Sequence, residues 1–239
     1  MLRLAVLLCL LAVPAAAGER RLLDAEEAAP FRGIGRLNIA GNRFCTATLI
    51  SPQVIVTAAH CLYHPRSGAR VPLGEFRFVA GLRRGEVAAV RRPVRAAVHP
   101  DFVFGAPDFE GIGADLALLE LGRPVPAEDA AAFAVGSAGD GALSIVSYRR
   151  GRAQVASLEG PCGPVAVFDG ILALDCAITY GVSGAPVLAL DDGRPRVVAV
   201  VSAIGRALDE RDVALTVLLA PQIDRLRAAL VEAPRERPE

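Results

Sequence analysis

The sequence contains no tryptophan and no lysine, has one methionine and three histidines, and gives only 5% of its 239 positions to aromatic residues. An interior without large rings has to be filled by Val, Leu, Ile and Ala, which favours many short aliphatic strands. Net charge is also missing: 26 basic residues, all arginine, are balanced by 26 acidic ones and mixed along the chain. Nothing in that balance marks a binder of nucleic acid or another polyanion. Beyond the first residues no segment stays apolar for the roughly 20 positions that a membrane span requires. What the chain does have is 53% hydrophobic against 22% charged residues. That suffices for a large core in one domain or two small packed ones, and it excludes disorder as the default.

The opening "MLRLAVLLCLLAVPAAAGERR" joins a basic Arg3, an apolar run from Leu4 to Val13, Pro14 and three alanines. This is the form of an export signal over residues 1–17, cut after Ala17. A membrane anchor is the competing reading, but the run is too short for one. The exported chain would then be secreted or periplasmic, without membrane attachment, with residues 18–32 as an N-terminal extension or short propeptide.

Cutting there removes Cys9 and leaves Cys45, Cys61, Cys162 and Cys176. An even set in an oxidising compartment reads as two disulfides, and the separation into an early and a late pair favours Cys45 with Cys61 and Cys162 with Cys176. A structural zinc is the alternative, but no pair has the Cys-x-x-Cys spacing.

Strand and turn signals dominate the rest of the chain. "RFCTATLISPQVIVTAAH" reads as two strands around Ser51-Pro52-Gln53, and "EFRFVAGLRRGEVAAVRRPVRAAVHP" as a hairpin around Gly81 to Gly85. The second half repeats the rhythm, with Asp-Gly turns at 169 and 192. Only "PQIDRLRAALVEA" has helical spacing, placing Ile223, Leu226, Leu230 and Val231 on one face. Glu120 to Gly136 has the composition of a connector, which gives two β halves, 33–125 and 126–232, and a disordered tail over 233–239. A cleft between halves is where a site would form.

His60 stands at the end of an apolar strand beside Cys61, where its backbone would be rigidly held, as a general base requires. His64 and His99 lie near prolines and read as turn residues. Asp115 precedes an apolar strand, where a carboxylate needs a partner to offset desolvation. Ser183 sits among glycines in "TYGVSGAPV". Each of the three alone has an ordinary structural reading; together they supply nucleophile, base and orienting acid. No histidine follows Ser183, which excludes the α/β-hydrolase order, and Asp24 lies in a charged segment unsuited to the subtilisin order. The order His60, Asp115, Ser183 remains.

"CTATLISPQVIVTAAHC", "ADLALLEL" and "GVSGAP" resemble the histidine, aspartate and serine motifs of trypsin-like serine peptidases, in order, over roughly Gly33 to Leu230. The cysteine seven positions before the serine is closer to the bacterial glutamyl-endopeptidase-like branch. The resemblance implies two packed six-stranded antiparallel β-barrels with a C-terminal helix. It implies His60 as general base, Asp115 as its orienting acid and Ser183 as nucleophile, with an oxyanion hole from the N–H groups of Gly181 and Ser183. It further implies a monomer acting on peptide or protein substrates without metal or cofactor.

Three positions depart from the family pattern. Val182 stands where trypsin-like zymogens carry the aspartate that receives a newly cut N-terminus. Ala177 stands where trypsins carry an acid for basic side chains, and Val201 where glutamyl endopeptidases resemble one another in a histidine. The wall left by Ala177, Ile178, Val201, Ser202, Ala203 and Ile204 is small and apolar, so the expected acyl-side preference is a modest hydrophobic residue. A second function class stays open: a non-catalytic binder on the same scaffold, using Arg83, Arg84, Arg91, Arg92 and Arg95 as a basic face.

Overall fold

The computed structural model describes residues 19–106, 108–139, 141–191 and 194–236. The expected export signal and the turn at Asp192 lie outside the described residues. The chain opens with strand β1 (Glu19–Leu22) and a one-turn helix, α1 (Ala25–Ala28). Seven strands then form one sheet: β2 (Ile34–Ile39), β3 (Arg43–Ser51), β4 (Val54–Thr57), β5 (Phe76–Ala80), β6 (Ala89–Arg91), β7 (Pro93–Val98) and β8 (Ala117–Leu121). The short helix α2 (Phe109–Gly113) lies between the last two. Their order is β6-β5-β2-β3-β4-β8-β7, all pairs antiparallel.

The second sheet contains β9 (Ala134–Val135), β10 (Leu143–Arg149), β11 (Arg152–Cys162), β12 (Pro164–Phe168), β13 (Ile171–Leu174), β14 (Pro186–Asp191), β15 (Arg194–Arg206) and β16 (Asp212–Leu218). Its order is β1-β11-β10-β14-β15-β16-β13-β12, with β9 beside β15. Two antiparallel β layers and a C-terminal helix, α3 (Ile223–Glu232), match the expected class. Where six strands were expected in each, the sheets have seven and nine, and the second is the larger because segments read as extension and connector also pair with it: β1 adds to β11, and β9 runs parallel to β15.

Aliphatic side chains fill the interior as the missing aromatics require. One buried cluster draws on both halves, bringing Ile34, Ile50, Val56 and Leu118 against Val146, Tyr148, Val200 and Leu226. The halves therefore share a core. Residues 19–32 are woven in: Leu23 is buried, and Asp24 caps α1 by accepting from the N–H groups of Glu26 and Glu27.

Helix α3 returns to the first half. Gln222 Oε1 lies 3.0 Å from His99 Nε2, and Arg225 pairs with Asp101 at 2.7 Å. Because Asp101 N–H donates to His99 Nδ1, Nε2 carries the proton given to Gln222, so His99 is a structural link. His64 Nδ1 likewise accepts N–H groups of its own turn. The tail does not leave at residue 233: Arg235 pairs with Glu120, and Glu236 bonds Leu73 N–H and the Val94 carbonyl. Ile223, Leu226 and Leu230 are buried as the spacing implied, whereas Val231 is 75% exposed. Leu226→Ala should lower stability by about 2–5 kcal/mol through a cavity in the shared core. Val231→Ala should change it by no more than about 0.5 kcal/mol; urea denaturation of the two variants checks the contrast.

Candidate active site

Strand β4 ends at Thr57, and the chain then turns through a single 3₁₀ turn, Ala59–Leu62, that carries His60. Cys61 in that turn is bridged to Cys45 on β3, which fixes the turn against the sheet. The two sulfurs beside His60 are joined to each other and so offer no thiolate to a metal. Asp115 follows α2 and leads into β8, with its backbone N–H bonded to Ile112. The sequence thus brings base and acid together from two connections of one sheet.

Asp115 is 3% exposed and accepts three hydrogen bonds. His60 Nδ1 lies 2.6 Å from Oδ2, the His60 backbone N–H donates to Oδ1 at 2.8 Å, and the Ser202 hydroxyl donates to Oδ2 at 2.5 Å. Burial pushes the Asp115 carboxyl up, but the charge of His60 and these hydrogen bonds together hold it below its ordinary 3.8. Burial likewise pushes His60 down, and Arg43 repels its cation. The charge and hydrogen bond of Asp115 outweigh both and leave the imidazole above its ordinary 6.5.

Ser202 is there because of a bulge. On β15 the pairing shifts between Val201, opposite Thr216, and Ala203, opposite Leu215, so Ser202 is the extra residue. A bulge breaks the alternation of a strand and re-aims a side chain. Ser202, expected in a substrate wall, turns its hydroxyl onto Asp115. Val201, expected in the same wall, is fully buried in the core of the second half. Ala177 and Ile204 are exposed, and Ile178 and Ala203 are partly so.

Ser183 lies between β13 and β14, in a segment with both ends tied. Cys176 is bridged to Cys162, and Gly184 N–H bonds the Val201 carbonyl at 2.8 Å. Val182 is 3% exposed and packs among Leu143, Cys162, Cys176 and Ala185, so apolar burial occupies the place of an ion pair. Thr46 on β3, which sequence reasoning missed, crosses from the first sheet. Its N–H bonds the Ser183 carbonyl at 2.9 Å, and its hydroxyl reaches the Gly181 carbonyl at 3.0 Å.

Gly181 and Gly184 have φ of +91° and +77°. A Cβ on Gly184 would lie 2.1 Å from Thr57 Oγ1, and one on Gly181 2.5 Å from the Phe44 ring. Only glycine fits either position. Val182 and Gly184 spend their N–H groups on backbone carbonyls, while among the described residues those of Gly181 and Ser183 have no acceptor. Ser183 and His60 line one groove, although among the described residues no hydrogen bond joins their side chains.

The basic residues considered for a binding face are spoken for in several places. Arg95 approaches Glu120 and bonds the Leu230 and Val231 carbonyls, and Arg91 bonds those of Pro124 and Val90.

An NMR titration should place the His60 pKa above 6.5 in the native chain. In Asp115→Asn it should fall below that value, because burial and Arg43 remain and both disfavour the cation. An unchanged value would contradict the pairing. Val182→Asp should cost about 3–5 kcal/mol in chemical denaturation, as an unpaired charge in an apolar cluster does.

The trypsin family model matches residues 24–147, a span that contains His60 and Asp115 and stops before Ser183. Transmembrane protease serine 9 of Rattus norvegicus is 34% identical over 119 residues, which are 47% of this chain and 10% of that protein, so the chain spans a small part of that relative. Among solved structures, a Glu endopeptidase in complex with MPD aligns over 91% of this chain and 98% of its own, with TM-score 0.70 and 18% identity. A thermostable serine protease, AL20, from an extremophilic microorganism aligns over 84% and 98%, with TM-score 0.64 and 18% identity. At that identity the likeness is one of fold, the chymotrypsin fold. With just over half of its 239 residues matched by the family model, this chain belongs to the trypsin family.

Proposed function

We propose that the protein is an exported serine endopeptidase that cleaves peptide bonds through Ser183, His60 and Asp115. The observation that carries this reading is the His60–Asp115 pair, hydrogen-bonded at 2.6 Å, with His60 lining the groove that Ser183 also lines. Asp115 holds Nδ1–H, which leaves Nε2 as the basic nitrogen for the serine proton. The Ser183 oxygen then attacks the carbonyl carbon. The developing oxyanion takes the two uncommitted N–H groups, of Gly181 and Ser183. His60 passes its proton to the leaving amine, and the C–N bond breaks to give an acyl-enzyme. Water, deprotonated by His60, attacks that ester, releases the acid and restores Ser183. The contact of serine with imidazole, open here, closes in the Michaelis complex, as general-base contacts commonly do.

Export through a signal over residues 1–17 is supported by two formed disulfides, which belong to an oxidising compartment. Among the described residues no helix is long and apolar enough to cross a membrane. We take residues 33–125 as the half carrying base and acid, residues 126–232 as the half carrying the nucleophile, and the active species as a monomer without metal or cofactor. Ala177, Ile178, Ala203 and Ile204 give the acyl side a small apolar wall. Arg20 beside it is committed to Glu159 and to the Ala177 carbonyl. The preferred residue before the scissile bond is therefore small and hydrophobic.

A fluorophosphonate should label Ser183, and no adduct on the mature folded chain would overturn the reading. Ser183→Ala or His60→Ala should lower kcat on the order of 10⁶-fold, and Asp115→Asn about 10⁴-fold. In a fluorogenic peptide panel, cleavage confined to bonds after Arg or Glu would refute the small apolar preference.

A further inference from the structure

The groove shared by Ser183 and His60 has a volume of about 610 Å³ and a lining unusual for this sequence. The chain has nine phenylalanines and three tyrosines, and four of these twelve, Phe44, Tyr63, Phe104 and Tyr180, line this groove. Tyr63 and Phe104 stack at 5.3 Å between centroids. Arg43 and Arg150 also line it, and among the described residues no aspartate or glutamate does. Arg43 is engaged with the carbonyls of Tyr63 and Cys61. Arg150 is different.

Arg150 lies at the tip of the β10–β11 hairpin, in the turn Arg149-Arg150-Gly151-Arg152. Its backbone N–H bonds the Tyr180 carbonyl at 2.8 Å, and its guanidinium rests 4.8 Å from the centre of the Tyr180 ring. Cation–π contact with an exposed ring orients a guanidinium and leaves its N–H groups free to bond a carboxylate. Among the described residues Arg150 has no carboxylate partner. Its neighbours add to the same sign. The Nε of Arg149 is buried without a hydrogen-bond partner, and Glu159, the acid near this cluster, is already held by Arg20. Tyr180 immediately precedes Gly181, so the unpaired cation is tied through one residue to the segment that carries Ser183.

The side of the scissile bond follows from His60, which lines two cavities. One, of about 270 Å³, includes Ser202 and Ala203 and so adjoins the acyl-side wall. The aromatic groove lies against the Cys45–Cys61 bridge and does not share those residues, so it receives the leaving-group segment.

We infer that Arg150, stacked on Tyr180, is a specificity-determining residue that selects substrates bearing an acidic side chain at the second position after the scissile bond, with an aromatic or aliphatic residue at the first position held by the groove. This inference rests on the peptidase reading and names its substrate class.

The test uses internally quenched peptides identical before the scissile bond and carrying Phe-Glu, Phe-Gln or Phe-Lys after it. Within each enzyme variant the ratio of kcat/KM between peptides is read, which cancels differences in active fraction. The native enzyme should prefer Glu over Gln about three- to fivefold at low salt, the range of a partly exposed ion pair, and less at high salt. Arg150→Lys should keep a preference for Glu, Arg150→Gln should bring the ratio to about one, and Arg150→Glu should favour Lys. A flat ratio in the native enzyme, or one unchanged in Arg150→Gln, overturns this inference alone when Ser183 is labelled and the peptides are cleaved. Absence of both labelling and cleavage overturns the peptidase reading and this inference with it.

Discussion

The buried carboxylate of Asp115 is the constraint around which the site is arranged. A charge in a nearly water-free position is tolerated when donors replace its hydration, and here three do so: the imidazole and backbone N–H of His60 and the hydroxyl of Ser202. They come from the 3₁₀ turn after β4 and from β15, so one acid ties an element of each half to the start of β8. The bulge on β15 and the bridge that fixes the His60 turn both serve this satisfaction. The consequence is electrostatic. A carboxylate held ionised raises its partner histidine, and a histidine so poised is a base near neutral pH.

The serine segment is held by different means. Where trypsin-like zymogens resemble one another in a carboxylate that pairs with a new N-terminus, this chain buries Val182 among aliphatic side chains and a disulfide. Thr46 then binds the segment from the first sheet, through its N–H to Ser183 and its hydroxyl to Gly181. These contacts are packing and neutral hydrogen bonds, which form as the chain folds. The N-terminal segment contributes as structure: β1 completes the edge of the second sheet, and Arg20 from it bonds the Ala177 carbonyl.

Much of this was legible in the sequence, for local reasons. Alternating aliphatic runs broken by Gly and Asp-Gly turns announce antiparallel strands, and both cysteine pairings follow from separation along the chain. His60, Asp115 and Ser183 stand out in the sequence because their neighbours resemble a family pattern in a fixed order, and the structure bonds the first two to each other and sets His60 and Ser183 along one groove. What escaped depended on distant pairing. Thr46 meets Gly181 across 135 positions, and nothing local in "RFCTATL" marks it. The role of Ser202 depends on a one-residue bulge, which the run "VAVVSAIG" does not betray. Val231 has the spacing of a core position, but α3 lies on the first sheet with a narrower face. The charge of the tail implies solvation, yet Arg235 and Glu236 find partners on the first half.

The central claim is that the site is assembled by contacts already made in the folded chain, without a cleaved N-terminus inserted near Val182. The measurement that tests it most directly compares the rate of fluorophosphonate labelling of Ser183 in two forms of the protein. One begins at Gly18, and the other carries a short hydrophilic extension before Gly18. Equal rates are predicted, since Val182 has no charge to receive an amine. A rate that rises by orders of magnitude when the extension is trimmed would contradict the account.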